Sequence, residues 1–476
     1  MQIYTSKLHG YEVIPYTVVT DDQQTLVVHR LVHPSDFATK GPLPRKKKPY
    51  LLVHGLLATS ASFIAGVAPD YRAPLGTVDI WSKINANFRS PLKSSFEHDW
   101  ASTADRRRKE HANFKIDKWH PHAAGRFARK YEPDYDGDPS NFARVYRQAY
   151  KKFELNLEDL SNVTGSLAMS LANFGNDVWL VNLRGNKYSP TDKWDFKLEA
   201  IAQRDLPAVI RFIQDKVECK DPIGLVSYSY GAAFVLRMLA AIPGFSKFVE
   251  PVVMVAPTLM SATKREVHGA KKTLVKILAR ALISANGPFP SHSHDKGLEG
   301  LICQLPLAGK LCRVTEHLVQ AGSRKVVSVN GLVLKDRQDL LSGRDMDCGR
   351  TSKALLHQLI KNYVSNEPLT YFRPVTQVLR NNAKEDPYRR SVILVHSDED
   401  EVSGLAEVKR IRDTILKTLT LIDYSITRPA FRHEDFLFSQ RNQYLVNAEI
   451  VRMVQIYDYL MYRKNANEPT EPIKVH

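Results

Sequence analysis

Apolar runs recur along the chain and alternate with stretches of helical periodicity. The strand-like runs are 11–32, 49–53, 178–181, 222–226, 251–256 and 392–395. Strands that are separated mostly by helical stretches are typical of a parallel sheet covered by helices. The pattern therefore predicts an α/β fold with a mixed, mostly parallel central sheet flanked by helices.

Two long stretches interrupt this alternation and set the predicted division of the chain. Residues 259–390 turn helical and polar between two strand signals, which predicts a helical cap. Residues 68–159 mix aromatic and basic side chains and separate two other strand signals. The core is then expected in three pieces, at 1–67, 160–258 and 391–476.

Composition and charge fit a large globular protein. With 476 residues, 43% of them hydrophobic, the chain can bury a sizeable core. No apolar run approaches the roughly 20 residues of a membrane-spanning helix, so we expect a soluble or peripheral protein. A net charge of +16 favours contact with anionic surfaces such as a membrane or lipid droplet. The basic runs 45–48 and 105–109 are typical of solvated loops, and no nucleic-acid partner is expected.

Ser229 is the most informative residue for chemistry. It lies in the Ser-Tyr-Ser-Tyr-Gly sequence of 227–231, between the strand-like run 222–226 and a helical run at 232–241. This is the strand, turn and helix of a nucleophile elbow, G-x-S-x-G, with Ser227 in place of the first glycine. Because a serine hydroxyl is a poor nucleophile without a base, the sequence should also supply a histidine and an orienting acid.

The chain supplies both groups downstream. Asp400 follows the strand-like run 392–395, and His433 comes later, giving the order Ser, Asp, His that α/β hydrolases use. Asp398 lies two residues before Asp400 on the same turn, and spacing does not separate the two acids. We therefore predict Ser229, Asp400 and His433 as catalytic residues, with Asp398 as the alternative acid.

An acyl-transfer site also needs backbone N–H groups directed at the developing oxyanion. One donor is expected from Tyr230, immediately after the nucleophile. The second is expected from the His-Gly-Leu-Leu turn at 54–57, which follows an early strand. Leu56 is the first choice for this donor, and Leu57 is the alternative.

At this point the chain resembles the acid lipase family, which includes gastric and lysosomal lipases. The resemblance rests on 176–186 (NDVWLVNLRGN), 194–196 (WDF), 205–208 (DLPA), 54–57 (HGLL) and 433–436 (HEDF). It implies an α/β-hydrolase fold with a cap or lid. It also implies hydrolysis of carboxylic esters of apolar substrates, such as acylglycerols or sterol esters. It places the triad on Ser229, Asp400 and His433, and the oxyanion donors on Leu56 and Tyr230.

The elbow departs from the family pattern. Members usually read Gly-His-Ser-Gln-Gly, whereas this chain has Ser227, Tyr228 and Tyr230 around the nucleophile. A large ring at Tyr230 is expected to narrow the acyl pocket or tilt the donor, giving altered substrate preference or weak activity. The alternative function is a catalytically weak or inactive lipase-like protein that binds lipid or serves as a scaffold. No phosphate loop, dinucleotide fingerprint or metal-ligand pattern occurs, so no cofactor or metal is expected.

The insertion 68–159 is a further departure, since the family lacks it. Because it begins just after the turn at 54–57, we expect it over or beside the active-site mouth. There it would act as an additional lid or a surface-docking element. A functionless excursion is the equal alternative.

The resemblance and the sequence disagree about the compartment. Family members usually carry a signal peptide and work in lysosomes or outside cells, but Met1 is not followed by a charged and then apolar segment. This indicates a truncated gene model, a mature form or a cytosolic protein. Cys303 and Cys312 are spaced like the cap disulfide of gastric-type members. Asn162 begins a glycosylation sequon, although Ser161 or Asn162 equally suits the cap that starts a helix.

Overall fold

The computed structural model describes most of the predicted core. The described residues are 10–38, 47–64, 77–84, 141–218, 221–259, 287–289, 328–329, 332–333, 350–365, 392–416, 420–427, 431–439 and 441–465. Most of the predicted cap 259–390 lies outside them, as do Cys303 and Cys312.

Eight of the described strands form one sheet. They are β1 (Glu12–Val19), β2 (Thr25–Val32), β3 (Pro49–Val53), β4 (Asp177–Val181), β5 (Ile223–Tyr228), β6 (Val249–Val255), β7 (Val392–Ser397) and β8 (Thr420–Ile426). Their spatial order is β1-β2-β4-β3-β5-β6-β7-β8. The six strands β4, β3, β5, β6, β7 and β8 pair in parallel with their neighbours. The β1–β2 hairpin adds an antiparallel edge next to β4. The prediction of a mostly parallel α/β sheet is confirmed.

Helices connect and cover these strands. They are α1 (Ser35–Ala38), α2 (Asn141–Lys152), α3 (Leu157–Ser161), α4 (Leu167–Asn173), α5 (Leu198–Ala200), α6 (Leu206–Lys216), α7 (Gly231–Ala241), α8 (Lys353–Ser365), α9 (Leu405–Arg410), α10 (Asp435–Phe438) and α11 (Ala448–Asn465). Short π-helical turns lie at Ile201–Asp205, Ile411–Leu416 and Gln443–Asn447, and 3₁₀ turns at Ser60–Phe63 and Phe245–Phe248. Two-residue strands occur at Pro288–Phe289, Ser328–Val329, Leu332–Val333 and Thr351–Ser352. No helix in these ranges is long and apolar enough to span a membrane.

The sheet separates two hydrophobic cores. Helices α6 and α7 pack on one face, and α4 and α11 pack on the other. The central strands β3, β4, β5 and β6 are buried along their whole lengths. A strand that is covered on both faces favours apolar residues at nearly every position, and for this reason these strands read as mostly apolar runs.

Two contacts of the insertion 68–159 lie at the N-terminal ends of the parallel strands. The Val78 N–H donates to the carbonyl of Asn173, a few residues before β4 begins. Arg147, in α2, donates to the carbonyls of Thr420 and Leu421, which begin β8. We expected the insertion over or beside the active-site mouth, but these two contacts lie at the opposite end of the sheet. The remainder of the insertion, including 85–140, lies outside the described residues.

Candidate active site

Ser229 occupies the sharp turn between β5 and α7. Its φ of 56° lies in the left-handed region, which side-chain-bearing residues rarely adopt. Its backbone N–H donates to the carbonyl of Val255 at 2.9 Å, and its own carbonyl accepts from the Ala232 N–H at 3.1 Å. These bonds hold the strained turn, so the hydroxyl is presented at the carboxyl ends of the strands.

Two glycines allow the turn to pack closely against β3 and the residues after it. A Cβ at Gly231 would lie 2.7 Å from the Val53 carbonyl oxygen, and one at Gly55 would lie 3.0 Å from the Ser229 Cβ. Ser227, which stands where the motif has its first glycine, is fully buried. Its hydroxyl donates to the carbonyl of Val253 at 3.3 Å. The substitution is therefore accommodated inside the sheet.

The structure brings His433 between Ser229 and Asp400. The Nε2 of His433 lies 2.8 Å from the Ser229 Oγ, and the Nδ1 lies 2.8 Å from the Asp400 Oδ2. A carboxylate only accepts hydrogen bonds, so Nδ1 carries the proton and Nε2 is free to accept from the serine hydroxyl. All three side chains are buried. This arrangement can take the proton of the hydroxyl as the oxygen attacks a carbonyl carbon.

The two candidate acids occupy different environments. The second carboxylate oxygen of Asp400 accepts from the backbone N–H groups of Val402 and Ser403, at 2.8 and 2.7 Å. Asp398 is exposed, and its carboxylate accepts from the Ser425 hydroxyl at 2.7 Å. The turn after β7 therefore directs Asp400, but not Asp398, toward His433.

Opposing effects act on the pKa of His433. Burial lowers it, because a charged imidazolium is poorly solvated there, whereas the carboxylate of Asp400 raises it. Glu434 and Glu401 also favour the charged form, and the net effect raises the pKa above its ordinary value. The site is thus suited to hold a transient imidazolium during proton transfer.

The predicted oxyanion donors lie on either side of the Ser229 turn. Among the described residues, the backbone N–H groups of Leu56 and Tyr230 have no hydrogen-bond partner. The alternative donor, Leu57, has a φ of 58° and also lacks a backbone partner in the described part of the chain. Gly55 lies directly against Ser229, so the turn that carries Leu56 adjoins the nucleophile. N–H groups without partners beside a nucleophile are suited to bind an oxyanion.

His54 is a structural part of this turn that the sequence reasoning missed. Its Nδ1 donates to the carbonyl of Gly55 at 2.7 Å, and its Nε2 accepts from the Leu183 N–H at 3.2 Å. Burial lowers the pKa of His54 to about 4, which keeps the ring neutral so that Nε2 can accept. The family-like sequence at 54–57 was a signal that His54 has a role. That role could not be read from the sequence, because the partner of His54, Leu183, is distant in the chain.

Tyr230 packs into the apolar core with α7. Its ring meets that of Phe234 edge to face, with the ring centroids 5.2 Å apart. Burial raises the pKa of the phenol, with smaller contributions from Glu199 and Glu407, so the hydroxyl remains protonated. The bulk of the side chain therefore lies within the core cluster, while its backbone N–H stays at the turn.

Another predicted site residue, Asn162, lies among the described residues. Asn162 is half-buried and ends α3, so the prediction that it caps the start of a helix is wrong. Ser166 fills that role for α4, because its hydroxyl accepts from the Met169 N–H. The side-chain amide of Asn162 donates to the Glu158 carbonyl. No group of three or more potential metal ligands occurs among the described residues.

Comparison with known proteins finds similarity to lipases. Residues 3–67 match the family described as the partial alpha/beta-hydrolase lipase region. Gastric triacylglycerol lipase of Mus musculus is 26% identical over 306 residues, which cover 61% of this chain and 74% of that protein. Lipase 3 of Drosophila melanogaster is 23% identical over 325 residues, which cover 62% and 77%.

Two further matches are shorter or more distant. Lipase member K of Homo sapiens is 30% identical over 31% of this chain and 39% of that protein. A solved esterase from Exiguobacterium antarcticum aligns over 93% of this chain and all of that one, at 11% identity and a TM-score of 0.40. A structural likeness at that level says nothing about the chemistry of this chain. The matched lipase region, together with relatives that align over about three quarters of their own lengths, shows that the chain is similar to ester hydrolases of the acid lipase family.

Proposed function

We propose that this protein is a serine-dependent carboxylic ester hydrolase that acts through an acyl-enzyme intermediate in lipid catabolism. The observation that carries the proposal is the position of His433, whose two ring nitrogens lie 2.8 Å from Ser229 and Asp400. In the proposed reaction, His433 takes the proton of Ser229 as the hydroxyl oxygen attacks the ester carbonyl. Asp400 holds the tautomer that makes this transfer productive.

The remaining steps use the same groups. The N–H groups of Leu56 and Tyr230 would stabilise the oxyanion of the tetrahedral intermediate. When this intermediate collapses, His433 gives its proton to the leaving alcohol and an acyl-Ser229 ester remains. Water, activated by the now neutral His433, then attacks the acyl group and releases the fatty acid. No cofactor enters these steps.

The proposed substrates are apolar esters, acylglycerols or sterol esters. This part of the proposal is supported by the relatives named as triacylglycerol lipases. The net charge of +16 supports peripheral contact with anionic membrane or lipid-droplet surfaces, where such substrates are concentrated.

The test is hydrolysis of p-nitrophenyl esters, from acetyl to palmitoyl, by purified full-length protein. We expect turnover that rises with acyl length and that falls by on the order of 10⁴-fold in Ser229→Ala. Ser161→Ala is the matched control, because that hydroxyl is exposed and bonds only locally to the Glu158 carbonyl. Near-normal activity in Ser229→Ala would overturn the assignment. If no ester gives serine-dependent release, the alternative of a lipid-binding or scaffold protein is favoured.

A further inference from the structure

The loop that carries His433 is held by side chains from two strand ends. The Tyr228 hydroxyl donates to the backbone carbonyl of His433 at 2.8 Å. The Ser397 hydroxyl, at the end of β7, donates to the carbonyl of Phe431 at 2.7 Å. Within the loop, the Arg432 N–H donates to the Asp435 carboxylate at 2.7 Å. None of these bonds involves the imidazole, so they fix the loop without blocking its chemistry.

Tyr228 contacts His433 in two ways. Besides the bond to the carbonyl, its ring lies near the imidazole, with centroids 5.1 Å apart and planes inclined by 30°. Tyr228 is buried, and burial raises the pKa of its phenol, so the hydroxyl stays protonated and acts as the donor. A carbonyl oxygen buried at this point would lose its described side-chain donor if the hydroxyl were removed.

The position of Tyr228 in the chain places these contacts next to Ser229. It is the last residue of β5 and immediately precedes Ser229. The hydrogen bond from the Tyr228 side chain to the His433 carbonyl therefore connects the residue before Ser229 to the backbone of His433. Reacting groups need placement to within a fraction of an ångström, and a shift of about 1 Å can lower a rate by about 10²-fold.

We propose that Tyr228 is a positioning residue, whose hydroxyl and ring fix His433 relative to Ser229 and Asp400. Its catalytic consequence rests on the ester hydrolase function proposed above. In this chain, the residue before the nucleophile thus takes part in aligning the base. The inference concerns the alignment of His433 and assigns Tyr228 no contact with substrate.

The test compares two variants that each remove one buried phenolic hydroxyl. Tyr228→Phe keeps the ring but removes the donor to His433. Tyr150→Phe removes the 2.7 Å hydrogen bond to Glu449 between α2 and α11, away from Ser229. For Tyr228→Phe we expect kcat to fall by about tenfold, with KM changed less than about twofold. For Tyr150→Phe we expect wild-type kcat and a loss of thermal stability similar to that of Tyr228→Phe.

A second readout does not require turnover. The pKa of His433, measured by NMR titration, should be lower in Tyr228→Phe, since a loosened imidazole would interact less with Asp400 and with the flanking Glu434 and Glu401. Tyr150→Phe should leave it unchanged. Wild-type kcat together with an unchanged His433 pKa in Tyr228→Phe would overturn the inference. If the wild type itself has no Ser229-dependent turnover, the proposed function fails, and the titration alone decides the role of Tyr228.

Discussion

The assignment of the acid can be tested by a matched pair of substitutions, Asp400→Asn and Asp398→Asn. In Asp400→Asn, the side-chain oxygen can still accept from the backbone N–H groups of Val402 and Ser403. The new amide would then face Nδ1 of His433, and an amide N–H cannot accept the Nδ1 proton. The imidazole must adopt the other tautomer, with its proton on Nε2, so it can no longer act as a base for Ser229.

The expected magnitude follows from this change of tautomer. The loss of the correct tautomer in a triad lowers kcat by about 10⁴-fold, equivalent to about 5.5 kcal/mol of barrier. Asp398 is exposed, and an asparagine there can still accept from the Ser425 hydroxyl. Asp398→Asn should therefore retain activity to within about twofold, as surface substitutions generally do.

The assay is steady-state hydrolysis of a p-nitrophenyl ester, normalised to the fraction of folded protein. Circular dichroism and thermal melting of both variants separate a lost fold from a lost proton acceptor. A larger loss in Asp398→Asn than in Asp400→Asn would move the role to Asp398. Retention of activity to within about tenfold in Asp400→Asn would refute the argument from the tautomer.

Two further predictions follow from the same site. Burial opposes protonation of His433, but Asp400 raises its pKa above the ordinary value of about 6.5. Because a general base must be neutral, kcat/KM should fall as the pH drops below a midpoint higher than about 6.5. A pH profile with full activity at about pH 5 would contradict this. Gly231→Ala should destabilise the protein by about 1–3 kcal/mol and impair turnover, because its Cβ would lie 2.7 Å from the Val53 carbonyl oxygen. Urea unfolding and the ester assay measure this effect, and unchanged stability would mean that the elbow adjusts without strain.

Local sequence was enough to predict the fold class and the elbow that carries Ser229. The central strands bury both faces, so their apolar runs are visible without knowledge of any partner strand. The elbow is also local, since the strand, the turn at Ser229 and the helix after Gly231 are consecutive in the chain. Features that depend on neighbouring residues alone were therefore accessible from the sequence.

Strand ends and the edge strand were less accessible. The predicted run 392–395 continues in the structure to Ser397, through His396. The buried His396 has a partner for its Nε2 in Asp423, at 2.8 Å. Asp423 belongs to β8, a strand that the apolar pattern did not reveal. A strand that alternates apolar and polar residues at a sheet edge has a weak signal, since its polar positions are satisfied by partners elsewhere in the chain.

Which side chains meet depends on the tertiary structure. Asp398 and Asp400 are two residues apart and chemically identical, and the turn after β7 directs one toward solvent and the other toward His433, 33 residues later. The bond from Tyr228 to the His433 carbonyl joins residues 205 positions apart. Local burial and backbone preference are encoded by neighbouring residues, whereas contacts between distant segments depend on how the whole sheet brings its strand ends together.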